Sequence, residues 1–90
     1  MTHAVLIQVR IDPDADAVHR HSVLHDIVIP EAKALRGFRK GTWMNDGRGT
    51  GTCVVFFDSE DNARSALGTL TPAGGPPVIS CAVCAVEIDV

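Results

Sequence analysis

Ninety residues, 46% hydrophobic and 21% charged with a net charge of −3, predict one small globular domain spanning residues 1–90 and a single core. Eight Lys and Arg scattered along the chain form no continuous stripe for phosphates, which excludes a nucleic-acid module. The longest apolar runs, Ala4 to Ile7 and Cys53 to Phe57, fall far short of the roughly 18 residues of a membrane span, and the N-terminus lacks a cationic, apolar export signal, so a cytoplasmic location with no membrane partner is expected.

The chain opens with a strand over His3 to Ile11, dense in β-branched residues, with Val5, Ile7, Val9 and Ile11 on one face. Its other face carries Ala4, Leu6, Gln8 and Arg10; the apolar first half suits a central strand covered on both sides. Asp12 and Pro13 then read as N-cap and first helical residue. At helical spacing Ala17, His21, Leu24, Val28 and Leu35 share a face, Lys33 and Arg36 complement the C-terminal dipole, and Gly37 ends the segment. Pro30 removes a backbone donor and crowds the carbonyl of Asp26, so a kink or break is expected with helix resuming after it.

Phe38 to Asn45 alternates as a second strand, with Phe38, Lys40, Thr42 and Met44 on one face and Arg39, Gly41, Trp43 and Asn45 on the other. Asn45 to Gly51 is turn material, and Thr52 to Phe57 is a third strand completing a hairpin. Asp58 or Ser59 caps a second helix with an apolar stripe of Ala63, Ala66, Leu67 and Leu70. A Pro- and Gly-rich loop follows over 71–77, and Val78 to Val90 reads as a long last strand.

The order βαββαβ predicts the ferredoxin-like α+β fold, a four-stranded antiparallel sheet with two helices on one face. Its other face, roughly 400 Å² at ~4.8 Å per strand and ~3.3 Å per residue, is as large as the biggest apolar patch of a typical monomer. Either Cys53, Val55 and Phe57 or Thr52, Val54 and Phe56 must lie there. A homodimer packed sheet to sheet, a dimeric α+β barrel, is therefore expected.

Candidate chemistry is sparse. His21 and His25, at i and i+4, can place an acid/base group against the sheet; with no third ligand apparent, no metal site is expected. Trp43 has Gly41 and Asn45 on its face, which leaves space beside the indole; the competing reading is a core or interface anchor. Gln8 and Arg10 would bind a carboxylate or enolate if their face turns to the helices, and are interface groups if it does not. Lys33, Arg36, Arg39 and Lys40 concentrate positive charge that dipole complementation and solvation explain. Cys81 and Cys84 are three apart in a strand, hence on opposite faces, and read with Cys53 as separate buried thiols rather than a disulfide. Gly47 to Gly51 joins two strands, which makes it a hairpin loop rather than a phosphate cradle.

Two stretches, Leu35-Arg-Gly-Phe-Arg-Lys-Gly-Thr-Trp43 and Val54-Val-Phe-Phe-Asp-Ser-Glu-Asp-Asn-Ala63, resemble the dimeric α+β-barrel superfamily, and in particular small antibiotic-biosynthesis-monooxygenase-like proteins of actinobacteria. The motifs mark fold junctions and are not a catalytic signature. The resemblance implies a homodimer binding a small apolar or aromatic ligand, with cofactor-free oxygenation as one activity of the superfamily and no cofactor required. It also implies pocket roles for Trp43 and Asn45. The haem-degrading branch is disfavoured, because the positions that match its Asn, Trp and His look like Gln8, Phe57 and no histidine within Glu60 to Leu70. The expected function is thus a small-ligand binder with His21 as base and Gln8, Arg10, His25, Trp43 and Asn45 as ligand contacts. The alternative is a non-enzymatic binding or dimerisation module, which the lack of any tyrosine favours.

Overall fold

The computed structural model describes residues 2–14 and 16–90. Strands β1 (His3–Arg10), β2 (Phe38–Asn45), β3 (Thr50–Phe57) and β4 (Val78–Ala85) form one antiparallel sheet in the order β2-β3-β1-β4. This is the ferredoxin-like topology, with β3 and β1 at its centre.

Register settles which face the helices cover. Val5 lies opposite Val55 and Val83, and Ile7 opposite Cys53 and Cys81; Val5, Ile7, Val55 and Phe57 are almost fully buried against Ala63 and Ala66. Thr52, Val54 and Phe56 therefore point away, beside Leu6, Gln8 and Arg10. Leu6 remains 39% exposed and Met44 51% exposed on that uncovered face.

The first helical segment departs from expectation at its start. Asp12 does not cap it: its Oδ1 accepts from the Asp14 N–H at 2.9 Å in a local Asx turn. Asp16 is the N-cap, accepting from Val18 N–H at 2.9 Å and His19 N–H at 3.4 Å; Ala15, inside the expected first turn, lies outside the described residues. Helix α1 (Ala17–Val23) runs into a π turn (Leu24–Val28) and resumes as α2 (Ile29–Lys33). The expected break at Pro30 takes this form. Ile29 N–H bonds the Leu24 carbonyl five residues back, and the wider turn gives room for the proline ring next to it.

Asp46 tightens the β2–β3 hairpin, its Oδ1 accepting from Arg48 N–H at 2.7 Å and Thr50 N–H at 3.0 Å. These bonds hold its carboxyl below the usual range and start β3 two residues earlier than the sequence suggests. Ser59 caps α3 (Glu60–Ser65), and α4 (Leu67–Leu70) follows after Ala66. Strand β4 stops at Ala85, five residues before the expected end; past it, Val86 N–H bonds Thr2 O and Ile88 stands exposed. The thiols correct a second expectation. Cys53 is buried, but Cys81 and Cys84 are exposed, because β4 is an edge strand with one neighbour and little helix above it.

Gly37 joins the first helical segment to β2 at φ 77°. Its carbonyl accepts the Asp58 N–H at 3.0 Å, and a Cβ here would collide with the Asp58 and Asn62 side chains, themselves bonded at 2.7 Å. Gly37→Ala is expected to cost about 2 kcal/mol in urea unfolding, from left-handed strain plus the clash; a loss below about 0.5 kcal/mol would contradict this packing. Burial, with Cys81 as a smaller contributor, pushes the Cys53 thiol up to about 11. The unfolded thiol ionises near ~8.5, so the unfolded state releases its proton first and stability falls as pH rises from about 9 to about 11. Cys53→Ala should flatten that part of a stability–pH curve measured by denaturant unfolding.

Candidate functional site

The helices approach the sheet unequally. The small faces of Ala63 and Ala66 let α3 settle against β1 and β3, both alanines being buried. Along α1, the π turn and α2 only Ala32 is buried. Between this segment and β2 lies an open, mainly apolar cleft of about 460 Å³.

One wall is helical, formed by His21, Leu24, His25, Ile29 and Lys33. The positions 21, 25, 29 and 33 are each four apart, a series that drifts by roughly 40° per step around a regular α-helix. The π turn, with more residues per turn, absorbs part of that drift and keeps the series on one side. Ile29 and Lys33 thus line the cleft beside His21 and His25, while Leu35, beyond α2, packs against the core as regular helical counting predicts. The imidazoles of His21 and His25 stack with ring centroids 6.3 Å apart and planes 20° apart. His25 Nδ1 lies 3.0 Å from Asp26 Oδ1, an arrangement that leaves His25 Nε2 available to a ligand. Among the described residues His21 has no such carboxylate.

The other wall is β2, with Phe38, Lys40, Gly41 and Trp43. Trp43 lies opposite Cys53, on the helix side, and folds back over Gly41: a Cβ at position 41 would sit 2.7 Å from Trp43 Cζ3 and 2.8 Å from Cη2. The space expected beside the indole is occupied by the indole itself. Phe38 continues the aromatic floor, edge-on to Phe57 at 6.4 Å and 85°.

The expected site residues divide accordingly. His21, His25 and Trp43 converge on the cleft. Gln8 and Arg10 lie on the opposite, uncovered face, where Gln8 Oε1 accepts from Ser80 Oγ at 3.1 Å; the alternative that lines the cleft with them does not hold. Asn45, at the end of β2, uses its Oδ1 to accept the Gly47 N–H at 3.0 Å in the hairpin turn. Leu24, Ile29, Lys33, Phe38 and Lys40 were missed as lining residues. Of these, Lys33 carried the clearest signal, standing three i+4 steps beyond His21.

No protein-family model matches the chain and no curated protein matches it in sequence. Solved structures do share its shape. The cofactor-independent oxygenase SnoaB from Streptomyces nogalater superposes with a TM-score of 0.72 at 11% identity, over 99% of this chain and 96% of that one. The haem-degrading protein Rv3592 from Mycobacterium tuberculosis gives 0.65 at 16% identity, over 100% and 99%. Rv0793 from the same organism gives 0.66 at 20% identity, over 99% and 98%. Likeness at these identities establishes the fold, the ferredoxin-like α+β architecture of all three.

Gly41→Ala tests the indole's position. The added methyl displaces the chain's one tryptophan, so near-ultraviolet circular dichroism and fluorescence should change while far-ultraviolet dichroism stays the same. An unchanged aromatic signal would show that the indole does not lie over Gly41.

Proposed function

We propose that the chain works as a homodimer whose subunits each bind a small, largely apolar or aromatic ligand in the cleft between the first helical segment and β2. The cleft carries this reading. Its volume of about 460 Å³ lies within the ~300–1,000 Å³ of small-molecule sites, and its pairing of an aromatic floor with two imidazoles suits a flat ring system bearing an ionisable group.

The reaction that fits is cofactor-free oxygenation, the activity of SnoaB. His21 would take a proton from a ligand methylene made acidic by a neighbouring carbonyl, and the carbanion would reduce dioxygen and bond to it. Loss of water then leaves a ketone, so that CH2 and O2 become C=O and H2O with no external reductant. Trp43 would stack on the ligand, and the apolar walls would exclude water from the carbanion. Haem chemistry is not carried over from the haem-degrading neighbour, since α3 and α4 contain no histidine. A second reading, a non-enzymatic binding module, is favoured by one observation: the orienting carboxylate, Asp26, is on His25 and not on His21.

Dimerisation is supported by what the single chain leaves uncovered. Leu6, Met44, Val54 and Phe56 face away from the helices, and β4 is exposed over most of its length. Two open faces of roughly 400 Å² each fall short of the ~1,200 Å² buried in a stable interface; β4 and the segment after it supply the rest.

Native mass spectrometry of the purified protein should show a dimer retaining a ligand. Leu6→Lys, which puts a charge on the uncovered face, should give a folded monomer; a persistent dimer would remove sheet-to-sheet packing. His21→Ala should abolish oxygen uptake with an anthrone, a tricyclic aromatic with an acidic methylene, and leave the dimer intact. Equal uptake in wild type and variant would take His21 out of the mechanism, and no uptake by wild type would favour the binding module.

A further inference from the structure

We propose that the cleft selects an anionic ligand, a planar aromatic carboxylate, with the Lys33 ammonium as its charge partner; this rests on the ligand-binding reading and names the ligand's chemical class. The first ground is the sign of the site. The chain carries a net charge of −3, yet every titratable residue bordering the cleft is a base: His21, His25, Lys33 and Lys40. The acid beside them, Asp26, is engaged by His25 at 3.0 Å. An apolar cleft rimmed by one sign of charge focuses the field onto a ligand of the opposite sign.

The second ground is that Lys33 has a place on the cleft wall and no partner for its charge. It is the last residue of α2, exposed, in line with His21, His25 and Ile29. The positions where a helical neighbour would pair with it hold Ile29, Pro30, Arg36 and Gly37, none of them acidic. Among the described residues no carboxylate lies within 4.0 Å of it, the ion pairs being His3–Glu60, His25–Asp26 and Arg64–Glu60. The helix dipole favours a cation at this end of α2, but it acts along the helix axis and gives no reason for the lysine to border an apolar cleft. A lysine that lays its methylenes along such a wall and holds its ammonium at the mouth meets both parts of an aromatic carboxylate.

Lys40 contributes differently. Its register partner is Phe56, on the uncovered face, so it reaches the cleft only at its rim and adds positive field at the mouth.

Calorimetric titration with 2-naphthoate and with its neutral counterpart 2-naphthylmethanol separates the possibilities. Wild type should bind the carboxylate about tenfold more tightly than the alcohol at low ionic strength, and added salt should erode that preference. Lys33→Gln should abolish the preference by weakening carboxylate binding far more than alcohol binding; Arg36→Gln, which removes a cation from the same chain segment but not from the cleft, should preserve it. Far-ultraviolet dichroism checks that both variants fold. Equal binding of the two probes by wild type would overturn charge selection and leave the ligand cleft standing. A loss in Arg36→Gln as large as in Lys33→Gln would overturn the role of Lys33, and binding of neither probe would overturn the ligand cleft together with it.

Discussion

The close seating of α3 on the two central strands is the contact on which the rest of the molecule depends. Ala63 and Ala66 present little more than backbone to Val5, Val55 and Phe57, so that helix reaches the sheet and closes the core there. The small side chains let this half of the helix–sheet space close on the buried residues of β1 and β3. The other half meets β2, where Phe38 and a folded-back Trp43 raise the floor. The first helical segment cannot approach as closely, and the difference between the two halves is the cleft.

Pro30 gives that separation its chemistry. A proline within a helix removes a donor and crowds the turn before it, and here a π turn precedes it. The register change that follows carries Ile29 and Lys33 round to the side of His21 and His25. The lining of the cleft thus depends on one local backbone adjustment. The hydrogen bond between His25 and Asp26 is exposed and gives one of the two imidazoles an acidic neighbour.

The sheet's second face and its fourth strand complete a consistent picture of a chain that leaves apolar surface unfilled. Leu6 and Met44 stand in water, and Cys81 and Cys84 are accessible on opposite faces of an edge strand. An edge of this kind is ordinarily covered, charged or shortened. Here the six residues Ile79 to Cys84 include no charged side chain, so the edge is not blunted by charge.

Strand and helix identities, the hairpin and the sheet topology were determined by the sequence, since alternation, β-branching, turn residues and caps are local properties and all agree. So was the two-sided apolar character of the central strands. Only the tertiary structure decided which side the helices take: Gln8 and Arg10 share β1 with a first half apolar on both faces, and no local pattern says which face turns inward. The same holds for Asn45, whose amide is as apt for a turn as for a ligand, and for Asp12, whose Asx turn competes with capping. Cys81 and Cys84 looked buried because their residue type and neighbours are apolar, whereas burial depends on what lies above an edge strand. Lys33 reads as a dipole complement, and its i+4 relation to Ile29 gains meaning only when packing places that side of the helical segment on the cleft. Local energetics fix the elements; the relative placement of elements, through packing and register, fixes the site.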